Sequence, residues 1–65
     1  MEYIVTLHLK SGLEIDWDIN IEGTTVKDAR NYVRNVINGQ SVWIPLAEDA
    51  EVRCEEVDYF KVKEA

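Results

Sequence analysis

Glu14, Asp16 and Asp18 occupy alternate positions of the stretch Leu-Glu-Ile-Asp-Trp-Asp-Ile-Asn-Ile-Glu that runs from Leu13 to Glu22. Alternate side chains of an extended chain share one face at a spacing of roughly 7 Å. The three carboxylates therefore stand in a row. Carboxylate oxygens suit Ca²⁺ or Mg²⁺, but such ions need several oxygens converging on one point, usually from a curled loop. A flat strand splays its carboxylates apart. The row reads as an acidic, solvated surface, and no metal is expected.

Cys54 raises the question of a nucleophile. A catalytic thiol needs a base beside it and a group that orients the base. The sole histidine is His8, and nothing in the spacing brings it to Cys54. A structural thiol, buried or half-buried, is the expectation. Glu48, Asp49, Glu51, Glu55 and Glu56 follow no ligand-spacing motif, and Gly12, Gly23 and Gly39 are isolated, so no phosphate-cradling loop exists. The chain is read as a non-enzyme without a cofactor.

Lys27, Arg30 and Arg34 recur at helical spacing. Such a stripe can meet phosphate or an acidic partner, although the wet face of a helix commonly looks the same. No aromatic residue stands among them to stack on bases, so single-strand binding gains no support. Ile4, Trp43 and Tyr59 form another set. Each is large, and each alternates away from its apolar neighbours. If the strands bring them together they make an apolar patch of the kind that marks interfaces. The alternative is that Trp43 covers a sheet edge or packs beneath a loop.

These side chains depend on the strands and helix that carry them. Tyr3, Val5, Leu7 and Leu9 alternate with Ile4, Thr6 and His8. Leu13, Ile15, Trp17 and Ile19 alternate with the acids. A two-residue turn at Ser11-Gly12 would set Leu7 against Asp16 and mix the wet and dry faces, the error that a one-residue slip produces. A three-residue turn, Lys10 to Gly12, instead pairs Leu9 with Leu13, Leu7 with Ile15, Val5 with Trp17 and Tyr3 with Ile19. It also puts Gly12 at the left-handed position of a type I turn with a bulge. The same register sets His8 opposite Glu14 and Thr6 opposite Asp16, with Ile4 as an apolar intruder on the wet face.

Glu22-Gly23 ends the second strand. Thr25 is the expected N-cap of a helix starting near Val26, and Asp28 suits the positive end of the helix dipole. Val26, Ala29, Val33, Val36 and Ile37 form its apolar stripe, and Asn38-Gly39 stops it. Ser41 to Leu46 reads as a short strand, with Pro45 limiting it to an edge. Ala47 to Glu51 is an expected acidic loop, Val52 to Cys54 a short extended piece and Glu55-Glu56 a turn. Val57 to Lys63 is the last strand, with Phe60 and Val62 on one face and Tyr59 and Lys61 on the other.

With 65 residues the chain is read as one α+β domain, residues 1–65, in the order ββαββ: one helix on a small sheet of four or five strands. A chain this short is marginally stable alone, so a packed core, a partner or self-association must contribute. A hydrophobic fraction of 46% is ample for a core and argues against disorder. Thirteen acids against seven bases repel nucleic-acid phosphate overall. A lone cysteine and the lack of a basic-then-apolar leader or a long apolar run suggest a cytoplasmic protein with no membrane segment.

The opening hairpin and Thr-capped helix, residues 1 to 38, resemble ubiquitin-like β-grasp domains. That resemblance implies a mixed sheet whose final strand pairs parallel to the first. Lys63-Glu64-Ala65 departs from the Gly-Gly tail on which conjugation and sulfur-carrier activity depend. The closing stretch, Trp43-Ile44-Pro45-Leu46 through Val57-Asp58-Tyr59-Phe60-Lys61-Val62, is similar to the end of many small phage and prophage proteins. That similarity implies an accessory or binding protein.

The expected core comprises Tyr3, Val5, Leu7, Leu9, Leu13, Ile15, Trp17, Ile19, Val33, Val36, Ile37, Ile44, Phe60 and Val62. The expected function is a protein-interaction module, as a homodimer or with an unknown protein, through the Ile4, Trp43 and Tyr59 side. An alternative from the acidic row is an inhibitor that mimics nucleic acid toward a basic protein. A weaker one is nucleic-acid contact through Lys27, Arg30 and Arg34.

Overall fold

The computed structural model describes residues 1–39 and 42–65. The chain begins with strands β1 (Glu2–Leu9) and β2 (Glu14–Asn20), followed by helix α1 (Val26–Asn38). Strands β3 (Trp43–Ala47) and β4 (Ala50–Arg53), a 3-10 turn at Cys54–Glu56 and strand β5 (Val57–Glu64) complete it. The architecture is α+β, ββαββ with one further strand. The strands divide into a three-stranded antiparallel sheet of order β2-β1-β5 and a separate β3-β4 hairpin. Among the described residues five strands thus form two sheets, where the sequence suggests one.

The β1-β2 register follows from keeping apolar residues on one face. Tyr3 pairs with Ile19, Val5 with Trp17 and Leu7 with Ile15. The turn between them spans Lys10 to Gly12. The Leu9 amide donates to the Leu13 carbonyl at 2.8 Å, and the Gly12 amide donates to Leu9 at 2.9 Å. Gly12 has φ +95, a conformation that a side chain resists. At the opposite end of the ladder Met1 and Ile21 exchange bonds of 2.7 and 3.1 Å.

Helix α1 starts where its capping chemistry predicts. The Thr25 hydroxyl accepts from the Asp28 amide at 3.1 Å, and the Asp28 carboxylate accepts from the Thr24 amide at 3.2 Å. This reciprocal pair satisfies donors that the first turn leaves open. The helix buries Ala29 and Val33 on its apolar stripe and leaves Val26 exposed.

The core gathers Tyr3, Val5, Leu7, Trp17 and Ile19 from the sheet, Ala29 and Val33 from the helix, and Ile44 and Val52 from the hairpin. Leu9, Val36, Ile37, Phe60 and Val62 pack against it, partly buried. Leu13 and Ile15 do not join it: Leu13, at 64% exposure, lies in the turn beyond the end of the sheet, and Ile15, next to that end, is only half-buried. Val52 enters because β4 begins at Ala50, earlier than the acidic loop had suggested, leaving Glu48-Asp49 as the turn. The Ser41 end of the expected third strand lies outside the described residues.

β5 runs antiparallel to β1, with Val62 opposite Val5 and Phe60 opposite Leu7. This overturns the mixed β-grasp sheet, whose last strand runs parallel to the first. The polarity follows from the hairpin and 3-10 turn. They return the chain to the Leu9 end of β1, where the Lys10 amide donates to the Glu56 carbonyl at 2.9 Å.

Candidate interaction surface

One face of the three-stranded sheet carries the core, and the other points away from it. Strand pairing orders the second face into rungs. Glu14, His8 and Tyr59 form the first, Asp16, Thr6 and Lys61 the second, and Asp18, Ile4 and Lys63 the third. Read along the strands, β2 gives a column of three carboxylates. β5 gives a column of one aromatic and two ammonium groups. The two columns stand roughly 10 Å apart, twice the strand spacing.

Short-range bonds tie the acidic column to β1. The Glu14 carboxylate lies 3.3 Å from His8 Nδ1, an ion pair when His8 is protonated. The Thr6 hydroxyl donates to Asp16 at 3.0 Å. On its other side the His8 ring stacks on Tyr59, with centroids 4.1 Å apart and planes 8° from parallel. Among the described residues Asp18, Lys61 and Lys63 have no ion pair. The charged columns are thus separated from each other across the width of the sheet.

The sequence-predicted apolar trio divides. Ile4 and Tyr59 share this face, in the third and first rungs. Trp43 stands in the other sheet, exposed, with the Arg53 guanidinium 5.5 Å from its ring centroid. Arg53 also pairs with Glu55 at 3.1 Å. Lys61 and Lys63, absent from the sequence-derived site, belong to it because β5 lies beside β1. Their signal was the alternation of the last strand, which does not reveal its neighbour.

The helix stripe is also split. Arg30 and Arg34 line a groove between α1 and β5, together with Ile37, Val57 and Phe60, with Tyr59 and Asp58 at its rim. Lys27 lies outside it. Among the described residues neither guanidinium makes a hydrogen bond or ion pair.

No charged side chain is buried, and no buried polar side-chain atom lacks a partner among the described residues. Tyr3 is buried between the sheet and the helix start. Burial, then the carboxylates of Glu64 and Asp28, push its phenol above the usual tyrosine value. Its hydroxyl lies 3.3 Å from the Gly23 carbonyl, to which it donates. Cys54 is half-buried at the start of the 3-10 turn. Among the described residues no three His, Cys, Asp or Glu gather as metal ligands. No helix among them is long and apolar enough to cross a membrane. No family model, curated protein or solved structure matches the chain.

Proposed function

We propose that the chain is a non-enzymatic protein-interaction module whose binding element is the uncovered face of the three-stranded sheet. The segregation of Glu14, Asp16 and Asp18 on β2 from Tyr59, Lys61 and Lys63 on β5 carries this reading. Opposite charges held apart in one copy fit a partner with the reverse arrangement.

A second copy has that arrangement. Consider a two-fold axis within the interface, parallel to β1. It preserves direction along the strands and exchanges their left-to-right order. The β2 column of each copy then faces the β5 column of the other, rung against rung. Asp16 meets Lys61 and Asp18 meets Lys63, with Ile4 near the centre. An in-plane axis perpendicular to the strands would set carboxylate on carboxylate and is disfavoured. A closed pair of this kind is isologous, the commonest form of assembly. The face is only three strands wide, so the dimer is weak and salt-sensitive.

Sedimentation velocity across a concentration series tests this reading. Self-association that weakens as salt rises supports it. A monomer at high micromolar concentration and low salt, or association unchanged by salt, contradicts it.

The acidic column also suits a nucleic-acid mimic directed at a basic protein. Lys61 and Lys63 on the same face interrupt the negative surface such a mimic needs, so this reading is second. A basic host protein captured in competition with DNA, and lost on Asp16→Asn with Asp18→Asn, would favour it over the dimer.

A further inference from the structure

β5 is an edge strand: it pairs with β1 and, among the described residues, with nothing on its other side. The Ala65 amide bonds the Glu2 carbonyl at 3.2 Å. With the β1-β5 register, this makes Lys63–Ile4 and Lys61–Thr6 the bonded pairs of the ladder. The backbone groups of Phe60 and Val62 therefore point away from β1 and remain open. Beneath this edge lies the groove of about 360 Å³ between α1 and β5.

The charge around the edge is opposite to that of the protein. The chain carries a net −6, yet four of its seven bases flank β5. Arg30 and Arg34 lie on the groove side. Lys61 and Lys63 lie on the outer face. Asp58 is the one acid lining the groove, and the floor is apolar: Ile37, Val57 and Phe60.

We propose that the β5 edge and the α1 groove together bind an extended segment of another protein, one that presents both apolar and acidic side chains to the groove and acidic ones to the outer face. The segment adds a fourth strand to the sheet through the open backbone groups of Phe60 and Val62. Alternation gives its side chains two destinations. Those on the groove side set apolar groups on Ile37 and Phe60 and a carboxylate on Arg30 and Arg34. Those on the outer side meet Lys61 and Lys63. A basic segment would be repelled on both sides, and an entirely apolar one would leave the guanidinium pair unanswered. An unprotected edge invites indiscriminate pairing, and cationic side chains beside it limit that to acidic strands.

The test uses the whole chain and a synthetic peptide of the sequence Ile-Glu-Glu-Glu-Ile-Glu-Glu-Glu, eight residues long to match β5, which sets isoleucine and glutamate in turn on one face and glutamate alone on the other. Amide chemical shifts are followed during titration. The expected result is salt-sensitive binding, with the largest shifts at Phe60, Val62, Arg30 and Arg34. Arg30→Glu with Arg34→Glu should weaken it roughly tenfold or more, the equivalent of one charge contact. Both positions are exposed, so the variant should fold, and the circular dichroism of the two proteins checks that. An isoleucine–lysine peptide should not bind. Absence of binding at millimolar peptide, equal binding of the lysine peptide, or shifts indifferent to the arginine reversals would each overturn the proposal. The dimer and the segment share Lys61 and Lys63, but Arg30 and Arg34 belong to the groove alone, so the arginine reversals distinguish a failure of this proposal from a failure of the sheet-face dimer.

Discussion

His8 and Tyr59 lie on neighbouring strands with rings 4.1 Å apart and nearly parallel, at the point where the β1-β5 register shifts between His8 and Leu9. Glu14 holds the far side of the imidazole at 3.3 Å. The three side chains span the sheet from edge to edge. The stack secures β5 just before the irregularity, where the ladder is weakest.

A double-mutant cycle of His8→Ala and Tyr59→Ala should therefore give a coupling of about 0.5–1.5 kcal/mol, the usual range for ring pairs. Urea unfolding of the four proteins measures it. Additive losses would show that the rings merely adjoin.

Tyr3 gives a pH prediction. Its phenol is raised in the folded protein, so the neutral form is the one the fold favours. The associated stability is present in full below the unfolded value of about 10 and is lost as the pH rises through the folded value. Tyr3→Phe should lower stability near neutrality through the lost bond to Gly23. It should also flatten the alkaline decline, so that the two stability curves converge above a pH of about 10. Parallel curves would contradict this assignment.

Gly23 is needed for space. A Cβ added there would stand 2.5 Å from the Asp28 Cβ. Asp28 is the partner of both Thr24 and Thr25 in the helix cap. Gly23→Ala should therefore displace the cap and cost about 1–3 kcal/mol, the range for overpacking. Thr25→Ala should cost about 1 kcal/mol. The double variant should lose less than the sum, because both changes disable one cap. Thermal melting checks each value, and an unaffected Gly23→Ala would contradict the steric account.

Local chemistry made much of this fold legible. The Lys10–Gly12 turn and the His8–Glu14 and Thr6–Asp16 pairs followed from the requirement that Leu7 meet Ile15 rather than Asp16. Thr25 marked the helix start. The remainder depended on contacts far apart in sequence. Alternation in Val57–Glu64 showed that Phe60 and Val62 share a face but not which strand lies beside them. For that reason Lys61 and Lys63 stayed outside the expected site. The same gap concealed the separate β3-β4 hairpin, which carries Trp43 in a different sheet from Ile4 and Tyr59. Leu13 and Ile15 fit the alternation as well as Trp17 does, but β2 begins only at Glu14, so Leu13 falls in the turn and Ile15 stands at the end of the sheet, outside the core.

The claim that oppositely charged columns of two copies meet is tested most directly by a charge exchange at Asp16 and Lys61. Sedimentation velocity at low salt would compare the wild-type chain, Asp16→Lys, Lys61→Asp and the double variant. In the two-fold arrangement each single reversal faces a like charge, so both should dissociate more readily than wild type. The double variant restores opposite charges and should recover the association, while its net charge remains that of the wild-type chain. A double variant no better than the singles, or single variants that associate as the wild type does, would contradict the sheet-face dimer.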